Sequence, residues 1–133
     1  MATEYAIWAA LRRGLPEVHW QRIEGIRGVP DVTGCVAGRE FWVEGKALRG
    51  NRLRFERGQV AWMIAATRAQ RRCWILTSSG SHDWLLHRGS DALRLSREPF
   101  DAVEPVLVLP GPRRDYRRLL SALTSDCGFD GDG

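Results

Sequence analysis

The spacing of apolar positions changes several times along the chain, and each change predicts an element. Residues 3–13 (TEYAIWAALRR) put Glu4, Ile7, Trp8 and Leu11 on one stripe, which predicts a short amphipathic helix. Thr3 is its candidate N-cap and Gly14 its stop. Val18–Glu24 alternates and is rich in β-formers, so it predicts a strand with Val18, Trp20 and Arg22 on one face. After GIRGVP, strands are expected at about Asp31–Val36 and Phe41–Lys46, joined as a hairpin through Ala37-Gly38-Arg39. Residues 47–54 (ALRGNRLR) read as a basic loop. Gln59, Trp62, Met63 and Ala66 then recur at helical spacing, predicting a helix over about Glu56–Gln70. Inside that helix Gly58 would cost about 1 kcal/mol relative to Ala, so it marks either the helix start or a close approach of DNA backbone.

Arg72–Ser78 is a dense apolar run, as expected of a strand covered on both faces. WLLHR (84–88) fits strand and helix equally. Val106–Leu109 is expected as a short strand between prolines, and Arg113–Leu123 as a basic amphipathic helix. There is no repeat and no linker, so a single α/β domain over 1–124 is expected, with a frayed tail at 125–133.

Composition narrows the class. A chain of 133 residues buries roughly two-thirds of its unfolded surface and needs no disulfide or structural metal. No apolar run approaches the ~20 residues of a membrane span, and no basic region precedes the first apolar stretch, so neither a membrane nor a secretory signal is expected. Cys35, Cys73 and Cys127 are odd in number and widely spaced, which fits a reducing cytoplasm (the host's, if phage-encoded) better than a disulfide or zinc scaffold. The net charge is +4, and of twenty basic residues all but Lys46 are Arg. Arg suits phosphate and stacked bases, although GC-rich codon usage is the weightier explanation of the excess. The question is where the lone lysine sits.

It sits in a constellation. Asp31 begins one arm of the expected hairpin, and Glu44 and Lys46 lie two apart on the other, on one face of the strand. Pro30 is tolerated at a strand's start and biases Val29 toward extended backbone. Two adjoining carboxylates repel unless compensated. A hard divalent cation compensates them, because Mg²⁺ takes one or two carboxylates plus waters and phosphate oxygens. Such an ion polarises a phosphodiester and activates water. A lysine amine exchanges a proton where guanidinium cannot, which gives the lone lysine a reason. The alternative is a salt-bridge cluster on a hairpin surface.

Pro30-Asp31 … Glu44-Gly45-Lys46 resembles the PD-(D/E)xK nuclease signature of the restriction-endonuclease-like fold. Arg27-Gly28-Val29-Pro30-Asp31, Phe41–Lys46 and the pair Gln59 and Trp62 are similar to the VRR-NUC and Holliday-junction-resolvase-like branch, common in phages. The resemblance covers about residues 3–80. It implies a mixed central sheet flanked by helices. It implies Asp31 and Glu44 as ligands of Mg²⁺ or Mn²⁺, with the Gly45 carbonyl as a further ligand, and Lys46 as the catalytic lysine. Glu4 matches the family's N-terminal helix acid, and Gln59 the polar residue on the helix after the motif strand.

Glu4 and Gln59 each interrupt an apolar stripe, where a polar group needs a partner. The other readings are a helix-dipole acid for Glu4 and a capping or core-bridging amide for Gln59. Arg49, Arg52, Arg54 and Arg57 surround the loop after the motif strand, with Arg27 before Asp31, and are read as phosphate contacts. Trp8, Trp62 and Trp74 are expected in the core, as are Trp20 and Trp42, with stacking on bases the alternative for the last two. His19, His82 and His87 show no ligand spacing. The expectation is a metal-dependent, structure-selective DNA endonuclease, homodimeric if it resolves four-way junctions. A generic repair or replication nuclease and a non-catalytic DNA-binding or RNA-processing protein remain open.

Overall fold

In the computed structural model, residues 4–126 are described. They run α1 (Glu4–Gly14), β1 (His19–Arg22), β2 (Val32–Val36), β3 (Arg39–Ala47), α2 (Gln59–Arg68), β4 (Cys73–Ser78), β5 (Trp84–Arg88), α3 (Ala92–Arg97), β6 (Leu107–Leu109) and α4 (Tyr116–Leu123). The strands form one mixed sheet in chain order, β1 to β6. Only β3 and β4 pair in parallel, and α2 makes the crossover between them. The expected α/β fold, a mixed sheet flanked by helices, is the fold observed. Its first half follows the implied order of helix, strand, hairpin, helix and strand.

The β2–β3 hairpin turns through two residues, Ala37 and Gly38, both at positive φ (51° and 77°). That is the twist a two-residue turn needs to close antiparallel strands. Both strands extend to the turn, so β3 is longer than expected and begins at Arg39. Alternation on β4 sorts the interior. Trp74 and Leu76 join Ile7, Leu11, Phe41, Val43, Leu119 and Leu123 under α1 and α4. Cys73 and Ile75 join Met63, Ala66, Leu95 and Phe100 under α2 and α3. Burying each large apolar side chain contributes about 1.5–3 kcal/mol, which commits β4 to the sheet centre.

Several boundaries move. The first strand shortens to His19–Arg22, and Val18 packs ahead of it in the core. α2 begins at Gln59 because Gly58, at φ 90°, caps it in a left-handed conformation no helix continues through. WLLHR is strand, pairing with β4 and β6. The last helix starts at Tyr116, after Asp115 accepts from the backbone N–H groups of Arg117 and Arg118. At the end of the described chain, Asp126 accepts from Arg72 at 2.8 Å. Thr3, Cys127 and the rest of the tail lie outside the described residues. All six tryptophans pack as interior or half-buried rings; Trp42 leans on Trp62 at a tilt and Trp20 meets Phe41 edge-on. No described helix is long and apolar enough to cross a membrane.

Candidate active site

Strand parity places Glu44 and Lys46 on the α2 face of β3, while Phe41 and Val43 point to the α1 face. That face is covered, which rules out the alternative of a salt-bridge cluster on an exposed hairpin surface. Glu44 is 3% exposed and Lys46 5%, under α2 and the 48–57 segment. Asp31 precedes β2, whose first residue Val32 pairs with Val43, so Asp31 stands beside the Glu44–Gly45 step. Its Oδ2 accepts from Gly45 N–H at 3.1 Å, capping a donor that lies beyond the first residue of β2.

Three buried polar side chains, Glu44, Lys46 and Gln59, form one network. Gln59 Nε2 donates to Glu44 Oε2 at 3.0 Å, and Lys46 Nζ donates to Gln59 Oε1 at 2.8 Å. That same Oε1 accepts from Glu56 N–H at 2.7 Å, tying the helix start to the site. Lys46 Nζ lies 3.7 Å from Glu44 Oε2 and 5.0 Å from the centre of the Phe55 ring. Gln59 is thus the core-bridging amide and the partner of both motif residues at once. Glu44 Oε1 is buried with no hydrogen-bond partner.

Burial pushes the Glu44 carboxyl up to about 8, the neighbouring Asp31 charge adds to the rise, and Lys46 opposes it. Burial also raises Asp31, against the pull of the Gly45 N–H and Lys46. Burial and the neighbouring carboxylate thus both work against ionisation of Glu44, and burial does the same at Asp31. A buried carboxylate oxygen without a partner, beside a pair whose ionisation burial opposes, fits a cation-binding site. Among the described residues no three His, Cys, Asp or Glu side chains gather around one point. Two carboxylates suit Mg²⁺ or Mn²⁺, which keep waters and take phosphate oxygens, and do not suit a closed zinc site.

Glu4 differs from its expected placement. It is exposed rather than buried on the stripe, because α1 begins there and Ile7 is the first side chain to reach the core. It still lies on the rim, close enough for its charge to raise Asp31. A cleft of about 740 Å³ opens above Lys46, bordered by Glu4, Arg49, Arg52, Arg54 and Phe55. Arg27 and Arg57 are exposed and do not border it. Each directly precedes one of two glycines in close contact. A Cβ on Gly28 would meet the Gly58 carbonyl carbon and oxygen at 3.0 Å. Both glycines have positive φ, and their contact fastens the Asp31 loop to the start of α2.

Three neighbours escaped the sequence reading. Phe55 faces the Lys46 ammonium, and Thr77, buried with its hydroxyl unpartnered, stands in register with Lys46 on β4. Asn51 anchors the arginine-bearing segment. Of these only Asn51 carried a local signal, its place after Gly50 in a turn. The histidines are structural or exposed as expected; His87 is buried, its Nε2 bonded to the Val103 carbonyl.

No protein-family model matches the chain, and no curated protein matches its sequence. Among solved structures it is similar to a Holliday junction resolvase, Hjc, from the archaeal hyperthermophile Archaeoglobus fulgidus. The TM-score is 0.47 at 11% identity, over 83% of this chain and 81% of that one.

Proposed function

We propose that this protein is a metal-dependent DNA endonuclease selective for branched structures, with residues 1–124 as one nuclease domain. One observation carries the reading. Half-buried Asp31 stands beside buried Glu44, one of whose oxygens has no partner, and the molecule's only lysine lies against Glu44 at an arginine-lined cleft.

Asp31, Glu44 and the Gly45 carbonyl would hold the ion. The N–H and C=O of a strand residue point to the same edge, so that carbonyl faces the side on which Asp31 caps the Gly45 N–H. When bound, the ion supplies charge stabilisation at the scissile phosphodiester and activation of water. Lys46 orients the attacking water and offsets negative charge developing on phosphorus. Gln59 keeps Lys46 and Glu44 in register, so neither swings away when DNA enters. Glu4 orders water at the rim, while Arg49, Arg52 and Arg54 grip phosphates beside the cut; Arg27 and Arg57 extend that contact outward. The preference for branched DNA and a homodimer with two sites rest on the motif's resemblance to the resolvase-like branch.

The test is incubation of four-way junction, duplex and single-stranded DNA with Mg²⁺, Mn²⁺ or EDTA. Metal-dependent nicks placed symmetrically across the junction support the proposal. Cutting of all three forms points to a generic repair nuclease, and binding without cutting to a non-catalytic DNA-binding protein.

A further inference from the structure

The arginine-bearing segment is not a free loop. Arg49 and Arg52 exchange backbone hydrogen bonds at 3.3 Å, closing a turn with Gly50 at φ 62° and Asn51 at its tip. Asn51 then reaches 50 residues ahead. Its Nδ2 donates to Asp101 Oδ1 at 3.0 Å, and its Oδ1 accepts from the Asp101 N–H at 3.1 Å. Its backbone carbonyl accepts from Phe100 N–H at 2.8 Å. Arg52 adds a bond to the Arg97 carbonyl at 2.8 Å. Leu53, 5% exposed, pins the return of the turn into the core beneath α3.

We propose that Asn51 is a positioning residue: it clamps the turn onto the Arg97–Asp101 corner, so that Arg49 and Arg54 stand fixed at the cleft mouth to receive a phosphodiester backbone. The binding half of this inference rests on the nucleic-acid reading above; the clamp itself does not. A turn tied at both tip and base loses little freedom when DNA arrives, and a turn released at its tip must be ordered at the moment of binding. The clamp also gives the 89–103 region, which the motif resemblance does not reach, a part in the site.

Trypsin reads the clamp directly, because Arg49, Arg52, Arg54 and Arg57 are all potential cut sites. Asn51 is exposed and fills no core space, so Asn51→Ala leaves the fold intact. The variant is expected to be cut within 49–57 several-fold faster than wild type under native conditions. Its affinity for a fluorescein-labelled four-way junction in EDTA should fall roughly three- to tenfold. Asn51→Asp alone sets two carboxylates together and should behave as badly, while Asn51→Asp with Asp101→Asn restores an amide–carboxylate pair and should rescue both readouts. Unchanged trypsin rates in Asn51→Ala, or failure of the swap to rescue, overturns the clamp. Faster cutting with unchanged DNA affinity overturns its positioning role. Wild-type protein that shows the clamp but cuts no DNA in Mg²⁺ or Mn²⁺ would retire the nuclease reading and leave the clamp standing.

Discussion

Gln59 Nε2 donates to Glu44 Oε2 at 3.0 Å, and that bond decides which oxygen of Glu44 is left without a partner. The same amide receives Lys46 on its carbonyl oxygen, so one side chain orders an acid and an amine on the neighbouring strand. Replacing Gln59 with Leu keeps the bulk and removes every bond. Glu44, Lys46 and the Glu56 N–H are then left short of partners, and the variant should lose about 1–3 kcal/mol of stability in urea unfolding. A variant as stable as wild type would mean the network is not held together by this amide.

The carboxyl pair makes metal-free stability depend on pH with a definite sign. Glu44 is raised from 4.5 to about 8, so between those values the folded chain holds a proton that the unfolded chain has released. Stability must therefore fall as pH rises from about 4.5 to 8, by on the order of a few kcal/mol, and level off above. Asp31 is raised too and contributes with the same sign. Urea midpoints in EDTA across this range should show the decline, Glu44→Gln should flatten it, and Mn²⁺ should offset it at pH 8 in wild type only. Stability that climbs through this window would contradict the raised Glu44 carboxyl.

Lys46→Ala and Asp31→Ala separate chemistry from binding. Each should slow single-turnover cleavage by on the order of a hundredfold or more. DNA affinity should stay within a few-fold, since arginine–phosphate contacts supply most of it. Normal cleavage by Lys46→Ala would remove the lysine from the mechanism while leaving the nuclease assignment open.

The contact between Gly28 and Gly58 can be weighed against a glycine under conformational constraint alone. Gly38 has φ +77° with nothing within 4 Å of a built Cβ, so Gly38→Ala should cost about 1–2 kcal/mol from backbone strain. Gly28→Ala carries a similar strain at φ +87° and in addition presses on the Gly58 backbone at 3.0 Å. It should be the more destabilising of the two and should also impair cleavage, because the Asp31 loop must shift. Equal urea midpoints for the two variants would show that the loop yields freely.

What the sequence determined by itself is what short range controls. Side chains two apart on a strand share a face, so Glu44 and Lys46 were neighbours on paper, and the hairpin expected through Ala37-Gly38-Arg39 brought Asp31 beside them. Two-sided burial of Cys73–Ser78 followed from an unbroken apolar run. The tertiary structure alone decided how these pieces are covered. It set Glu4 on the rim rather than under the helix, seated the Phe55 ring against the lysine, and tied Asn51 to Asp101 across fifty positions. Those contacts join segments whose local patterns are indifferent to one another, and they exist only because both faces of one sheet had to be closed by distant parts of the chain.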